Sequence, residues 1–237
     1  MTAIGRSWHR IDGEPRRGKA ATAWASREIR RTETRSGTAN AMTIDVEDYF
    51  QVEAFASTID RNHWEQLPHR VERNTDRLLG ILEETGVQAT FFLLGWVAER
   101  HTSLARRIVA AGHELASHGS AHIRVDRQSP DDFRDDVRRS KRVLEDASGV
   151  AVRGYRAPTF SIGRDSTWAH VILAEEGFEY SSSVYPRKHD LYGVPGAPRT
   201  PFRPVPNLLE IPLTTVRLRG RDLPASGAVT SVCCRMR

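Results

Sequence analysis

Apolar residues follow two kinds of pattern between residue 41 and about residue 216. Short apolar runs bounded by turn residues are typical of buried strands, and longer stretches with one apolar stripe are typical of helices. These patterns predict strands at 41–46, 89–94, in the run before His118, and at 152–156, 180–184 and 208–211. They predict helices at about 74–86, 102–112, 129–149 and 166–176. Strands and helices therefore alternate, which predicts an α/β fold with parallel strands.

The six predicted strands are too few for a closed eight-stranded barrel, which takes ~250 residues. Two architectures stay open: an open sheet, and an incomplete or deformed (β/α) barrel. In both, functional side chains gather where the parallel strands end. Asp45, His118 and Arg156 all come at such ends.

Two local patterns are more specific. Ser129 before Pro130, followed by two acidic residues, predicts a helix start, because serine caps helices and proline suits the first turn. Residues 49 to about 68 mix aromatic and polar side chains without a clear period, which predicts a long functional loop.

The composition is that of a soluble globular domain, with 39% hydrophobic and 27% charged residues in a chain of 237. No apolar run approaches the ~20 residues that span a bilayer, and the N-terminus lacks the apolar segment of a secretory signal. Cys233 and Cys234 are adjacent and are the only cysteines, which excludes a disulfide framework and a cysteine metal site. We therefore expect a cytoplasmic protein without a membrane span.

The net charge of +5 arises in the first forty residues. Residues 1–40 contain nine Arg or Lys and four Asp or Glu, so residues 41–237 are neutral overall. A basic segment can bind nucleic acid, yet no recognition motif and no interleaved aromatic residues accompany this one. We interpret residues 1–40 as a basic disordered extension and expect no nucleic-acid partner.

Two histidines, His118 and His122, stand four positions apart around a glycine and two small residues. Imidazole is a common ligand of divalent transition metals, and this spacing allows two rings to converge on one ion. The alternative is that both are ordinary polar residues at a strand-to-helix turn. A zincin protease is disfavoured, because Gly119 stands where its motif requires glutamate.

A catalytic zinc site normally needs a third protein ligand. The best source is the acidic cluster at residues 45–48, which reads Asp-Val-Glu-Asp and follows an apolar run. Such a cluster is costly at a buried strand end unless a cation or an arginine neutralises it, although a solvated loop would tolerate it. Arg156, held by the nearby Pro158, is well placed to pair with a carboxylate, and its alternative role is that of a surface arginine before a turn.

Three ordered motifs then match one family: residues 43–48 (T-I-D-V-E-D), 117–122 (S-H-G-S-A-H) and 156–160 (R-A-P-T-F). Together they resemble the polysaccharide deacetylases of the NodB-homology, carbohydrate esterase family 4 type. The run D-V-E-D-Y-F at residues 45–50 is similar to the first motif of the branch associated with exopolysaccharide and exosortase loci. The resemblance covers residues 41–227.

The resemblance implies a deformed (β/α) barrel of about seven strands with a divalent ion, usually Zn²⁺, at its mouth. It implies that Asp45 is the general base, that His118 and His122 are metal ligands, and that Arg156 orients the base. The common family motif places the carboxylate ligand directly after the base. Here Val46 intervenes, so the ligand is Asp48 or Glu47, and Asp48 is preferred. The substrate-binding segment would comprise Pro158, Thr159 and Phe160, although its aromatic residue is displaced by one position relative to the family.

The implied function is metal-dependent removal of N-acetyl groups from an amino-sugar polysaccharide. The alternative is a catalytically inactive remnant of the same fold that still binds metal or glycan. The family's general acid is a histidine in a C-terminal strand, which in this branch lies in an H-P-W-E segment that this chain lacks. Neither His170 nor His189 is an evident replacement.

The last residues suggest a reason for that absence. Relatives continue with Gly-Gly-Tyr-Phe-Arg-Leu-Leu, and a gene for that run, read one base later, encodes the sequence found from Ala228 to Cys233. We therefore expect residues 228–237 to be a frameshifted tail on a truncated gene or a sequencing error, which would impair catalysis.

Overall fold

A computed structural model describes residues 41–218 and 221–225 of the chain. The predicted basic extension at 1–40 and the predicted frameshifted tail at 228–237 lie outside these residues. All three sequence motifs, at 43–48, 117–122 and 156–160, lie within them.

A seven-stranded sheet organises this part of the protein. Its strands are β1 (Met42–Val46), β2 (Ala89–Leu93), β3 (Glu114–Ser117), β4 (Gly154–Tyr155), β5 (Tyr180–Ser181), β6 (Phe202–Val205) and β7 (Leu208–Glu210). The strand order is β1-β2-β3-β4-β5-β7-β6, and every neighbouring pair is parallel except β6 with β7. The predicted α/β fold with parallel strands is therefore confirmed. Among the described residues the sheet does not close, which fits an incomplete or deformed barrel.

Helices connect the parallel strands. They are α1 (Val71–Thr85), α2 (Gly95–Arg100), α3 (Thr102–Ala110), α4 (Pro130–Ser148) and α5 (Trp168–Glu175). A separate antiparallel hairpin of β8 (Thr215–Leu218) and β9 (Arg221–Pro224) follows the sheet. No described helix is both long enough and apolar enough to cross a membrane.

The start predicted for α4 is confirmed, because the Ser129 side chain accepts a hydrogen bond from the Asp132 N–H and Pro130 begins the helix. Two helices end at a glycine: Gly86 and Gly149 adopt left-handed backbone angles immediately after α1 and α4. The short helix α2 was not predicted, because it has too few residues to show a period.

Helix α1 starts at Val71, three residues before the predicted start at about residue 74. The cause is a contact that is distant in sequence. The side chain of Asp48 accepts hydrogen bonds from the N–H groups of Arg70 and Val71, which satisfies the first donors of the helix.

The hydrophobic core lies between the sheet and the helices. Phe91 and Leu93 of β2 pack in it with Leu104 and Ile108 of α3 and with Phe133 of α4. These side chains are completely buried. The core holds the strands in one register and therefore fixes where each strand ends.

Candidate functional site

The candidate site lies at the carboxyl ends of the parallel strands. The register pairs Val46 with Leu93, Leu93 with Ser117, and Ser117 with Tyr155. The residue that follows each strand therefore emerges at the same edge of the sheet. This places the acidic run after β1 beside His118 and Arg156, as expected for parallel α/β folds.

Three of the sequence-predicted residues form one cluster. The side chains of Glu47, His118 and His122 each place a nitrogen or oxygen atom within 4.8 Å of the others. All three residues are buried, at 5%, 1% and 1% exposed. Such convergence of one carboxylate and two imidazoles is expected for a metal site and is costly without one.

The hydrogen bonding of the polar atoms in this cluster indicates whether a divalent cation would fit there. The Nε2 atom of His122 lies 2.8 Å from Oε2 of Glu47, but neither atom has the alignment of a hydrogen bond. Both carboxylate oxygens of Glu47 and Nε2 of His118 likewise have no hydrogen-bond partner among the described residues. Four buried polar atoms therefore face one another unsatisfied, and the donor set of two nitrogens and a carboxylate suits Zn²⁺ or a similar ion.

The His118 ring is held in one tautomer. Its Nδ1 lies 2.9 Å from the backbone oxygen of Arg156, and because a carbonyl can only accept, Nδ1 must carry the proton. Burial lowers the pKa of His118, although Asp45 and Glu47 oppose the shift. A neutral ring with a proton on Nδ1 presents the Nε2 lone pair to the cluster, which is the form that binds metals.

The His122 ring responds differently to its surroundings. Burial alone would lower its pKa, but the adjacent Glu47 carboxylate outweighs burial and raises it. Without a cation, a proton on His122 therefore stabilises the contact between His122 and Glu47. A cation that bound here would displace that proton.

The geometry favours Glu47 over Asp48, the residue preferred from the sequence, as the carboxylate ligand. Asp48 is 2% exposed, and its Oδ2 accepts hydrogen bonds from the N–H groups of Arg70 at 2.6 Å and Val71 at 3.0 Å. Its Oδ1 accepts a third from the Tyr49 N–H at 2.9 Å. Both oxygens are engaged by backbone N–H groups, Oδ2 at the start of α1 and Oδ1 at Tyr49, whereas Glu47 faces the histidines.

Asp45 pairs with Arg156, as the sequence suggested. Nη1 of Arg156 donates to Oδ1 of Asp45 at 2.8 Å and to the hydroxyl of Thr43 at 3.0 Å. Burial alone would raise the pKa of Asp45, but the Arg156 charge, the nearby histidines and the Arg156 hydrogen bond together lower it. Asp45 is therefore held as a carboxylate beside the metal-ligand candidates.

Ser182, which follows β5, completes the support of Arg156. The Arg156 Nε donates to the Ser182 backbone oxygen at 3.1 Å, and Nη2 donates to its hydroxyl at 2.9 Å. The guanidinium also lies over the ring of Phe92, 4.0 Å from its centroid. Arg156 is thus fixed on three sides. The sequence analysis named neither Thr43 nor Ser182 as a partner, because serine and threonine at strand ends are too common to single out.

The loop between the two histidines depends on Asp136 of α4. Its Oδ2 accepts a hydrogen bond from the Ser120 N–H at 3.0 Å, and a Cβ on Gly119 would come within 3.0 Å of the same oxygen. Gly119 also has a φ of 79°, which L-residues rarely adopt. Burial raises the pKa of Asp136 to about 6. The sequence analysis missed this residue, since it is one of several acids on the polar stripe of a helix.

The predicted substrate-binding segment forms a short 3-10 turn, Pro158–Phe160. Pro158 and Phe160 are buried, and the Phe160 ring lies 5.7 Å from the Arg156 guanidinium carbon. Thr159, Phe160 and His122 are the only described non-glycine residues with positive φ. Three strained positions thus flank the candidate site, which is a pattern associated with function.

Neither of the two later histidines belongs to the Glu47–His118–His122 cluster. His170 is buried, with Nε2 3.4 Å from Oε2 of Glu210. Glu210 also accepts hydrogen bonds from the N–H groups of Ser183 and Val184, which ties β7 to the end of β5. His189 stacks on Tyr192 with ring centroids 4.0 Å apart.

Sequence comparison assigns the chain to a known family. Residues 52–176, more than half of the chain, match the family profile described as polysaccharide deacetylase. The chain belongs to the polysaccharide deacetylase family. Residues 182–230 match a second profile, described as a domain of unknown function (DUF3473).

Curated relatives of this deacetylase-family chain include two enzymes of amino-sugar polymers. A peptidoglycan-N-acetylglucosamine deacetylase of Bacillus cereus is 31% identical over 35% of this chain and 30% of its own length. A chitooligosaccharide deacetylase of Bradyrhizobium is 36% identical over 35% of this chain and 39% of its own length. The matched regions thus span about a third of these relatives.

A solved structure supports the fold over a longer stretch. A candidate polysaccharide deacetylase from Mycobacterium smegmatis superposes with a TM-score of 0.57 and 30% identity. The superposition covers 73% of this chain and 58% of that one.

Proposed function

We propose that this protein is a metal-dependent hydrolase that removes N-acetyl groups from an amino-sugar polysaccharide. The observation that carries the proposal is the buried cluster of Glu47, His118 and His122, with the ionised Asp45 beside it. The peptidoglycan and chitooligosaccharide deacetylases among its relatives support the substrate class. The D-V-E-D-Y-F run at residues 45–50 supports a place in the exopolysaccharide-associated branch.

Glu47, His118 and His122 would hold the divalent cation, for which Zn²⁺ is the leading candidate. When bound, such a cation polarises a carbonyl oxygen and makes water acidic enough to act as a nucleophile at neutral pH. Asp45 accepts the proton of the attacking water, because its lowered pKa keeps it ionised, and the same carboxyl group would return that proton to the amine nitrogen as the C–N bond breaks. Arg156 orients the Asp45 carboxylate for that transfer through the 2.8 Å hydrogen bond.

Negative charge develops on the acetamide oxygen during the attack, and a backbone N–H can stabilise it. In the turn after Arg156, Pro158 has no N–H, and the N–H of Phe160 donates to the Ala157 oxygen at 3.0 Å. The N–H of Thr159 is therefore the candidate donor in this turn.

The test is acetate release from an N-acetylglucosamine tetramer by chelator-treated protein, with and without added zinc. We expect zinc to restore release in the wild type and His118→Ala to abolish both zinc binding and release. His63→Ala is the matched control, because His63 is exposed and outside the cluster. Zinc binding without acetate release would instead support the inactive metal-binding alternative, and absence of both would refute the proposal.

A further inference from the structure

Glu210 is a buried acidic residue for which the proposed deacetylation chemistry has no use. It is the last residue of β7, and it is completely buried. Buried strands of parallel sheets are normally apolar, and a buried carboxylate is costly unless it is paired and hydrogen-bonded. A residue that only filled this space would therefore be expected to be apolar.

One oxygen of Glu210 holds the backbone that follows β5. Its Oε1 accepts hydrogen bonds from the N–H groups of Ser183 and Val184, both at 2.8 Å. Strand β5 ends at Ser181, so these two N–H groups lie beyond the strand and receive their acceptor from a side chain. Both residues are buried, and buried N–H groups require an acceptor. The position of the backbone after β5 therefore depends on Glu210.

The other oxygen of Glu210 faces helix α5. Its Oε2 lies 3.4 Å from Nε2 of His170, a residue that is buried as well. The carboxyl group thus has the backbone after β5 on one side and an imidazole ring on the other. These two contacts restrict it to one orientation, with Oε1 directed at the two N–H groups.

The backbone that Glu210 holds is the same stretch that holds Arg156. Ser182 lies directly before the two bound N–H groups. It accepts two hydrogen bonds from the guanidinium, from Nε at 3.1 Å to its backbone oxygen and from Nη2 at 2.9 Å to its hydroxyl. The hydroxyl of Ser183 accepts a third bond, from the Ala157 N–H at 2.9 Å. Two adjacent residues therefore fix both the side chain of Arg156 and the backbone that follows it.

The same contacts continue to the candidate general base. Arg156 donates to Oδ1 of Asp45 at 2.8 Å. Of the four hydrogen bonds that its guanidinium makes to described residues, two go to Ser182. A shift of the backbone after β5 would therefore move Arg156 relative to Asp45, and small misalignments of this kind are expensive in catalysis.

We propose that Glu210 is a positioning residue, which holds the backbone after β5 so that Ser182 keeps Arg156 aligned with Asp45. The proposal rests on the proposed function, because this alignment matters for catalysis only if Asp45 is the general base. The role of Glu210 is indirect, since it is not part of the Glu47–His118–His122 cluster.

Hydrogen exchange of the Arg156 Nε–H, followed by NMR on the full chain in chelator, tests this role without requiring activity. The signal is assigned by its absence from Arg156→Lys. The reference is the Nε–H of Arg106, which also donates to a backbone oxygen, that of Ala147 at 2.9 Å, between α3 and α4. A general loss of stability speeds both signals alike, whereas a displaced Ser182 speeds only that of Arg156.

Glu210→Met keeps the length of the side chain and removes both acceptor oxygens. We expect it to speed exchange at Arg156 about tenfold relative to Arg106, the factor that corresponds to one net hydrogen bond. Glu210→Gln retains an acceptor oxygen and should restore slow exchange. If Glu210→Met does not fold, Glu210→Asp replaces it, because the shorter carboxylate cannot keep both 2.8 Å contacts. Glu179→Met is the matched control, since Glu179 is exposed and directly precedes β5.

The outcomes separate this inference from the proposed function. Faster exchange confined to Arg156, with Glu210→Gln and Glu179→Met close to wild type, supports the inference even if no acetate is released. Equal acceleration of both signals indicates only a structural connection between β5 and β7 and overturns it. Unchanged exchange at Arg156 in the folded variant also overturns it.

Acetate release with added zinc provides a second measurement. If the wild type is active, the folded Glu210 variant should show a kcat at least about tenfold lower at a similar KM, because alignment of the base affects the chemical step. An unchanged kcat overturns the inference and leaves the proposed function standing.

Discussion

Neutralising Asp48 and Glu47 one at a time distinguishes the residue that caps a helix from the residue that binds the metal. In the structure Asp48 supports a helix start, and Glu47 lies among the candidate metal ligands. We therefore expect Asp48→Asn to lower stability and spare metal binding. We expect Glu47→Gln to weaken metal binding and to spare stability.

The magnitude for Asp48 derives from its three backbone hydrogen bonds. A hydrogen bond to a charged group contributes about 1.5–3 kcal/mol, and asparagine keeps one acceptor oxygen while turning an amide N–H₂ towards the remaining donors. We expect a loss of about 3 kcal/mol in the free energy of unfolding. For a domain of this size that corresponds to a fall in Tm of roughly 6–12 °C.

Glu47 has the opposite balance in metal-free protein. At a pH above the raised pKa of His122, where no proton is shared between the two side chains, its buried carboxylate has no hydrogen-bond partner among the described residues, so its neutralisation removes an unfavourable charge and leaves Tm unchanged or higher. Loss of an outer partner of a metal ligand already costs about 10–100-fold in affinity. We expect loss of a ligand itself to weaken zinc binding by at least ~100-fold.

The assay combines thermal unfolding in chelator with zinc titration against a chromophoric competitor. Each variant serves as the control for the other, because both remove one negative charge at neighbouring positions. If Asp48→Asn loses zinc at an unchanged Tm while Glu47→Gln retains zinc, the assignment of both residues is refuted.

Two further predictions concern the supports of the site. Arg156→Lys should lower kcat/KM for acetate release about 100-fold and shift the acidic limb of its pH profile upwards, because burial then dominates the pKa of Asp45. Arg153→Lys, at an exposed position, is the control. An unchanged pH profile in Arg156→Lys would count against the pairing of Asp45 with Arg156. Asp136 has a pKa raised from 3.8 to about 6, so its favourable contribution to stability is complete below pH ~4 and is lost as pH rises through about 6. In urea unfolding with chelator, the stability of Asp136→Asn relative to wild type should therefore rise between pH 4 and 7 by up to about 3 kcal/mol. The exposed Asp135→Asn should show no such trend, and a flat difference for Asp136→Asn would contradict the raised pKa.

The fold and the meeting of the site residues could be predicted from local patterns. Parallel strands end at one edge, so identifying the strands before Asp45, His118 and Arg156 was sufficient to predict that these residues meet. The supports of the site could not be predicted in this way. Asp136 and Ser182 act through backbone and side-chain contacts that only tertiary packing specifies. The periodicity of α4 does not indicate that Asp136 accepts a hydrogen bond from Ser120, which lies 16 residues earlier in the sequence.

The choice between Glu47 and Asp48 is a case in which the sequence contained a usable signal. Successive side chains of a strand point to opposite faces, so residues 45 and 47 share a face and residue 48 does not. Asp45 pairs with Arg156 at the site, and Val46, on the opposite face, is 3% exposed in the core. Continued beyond the last residue of β1, the same alternation places Glu47 beside Asp45 and turns Asp48 towards α1. The intervening valine therefore keeps two carboxylates on the functional face and leaves the third free to start a helix.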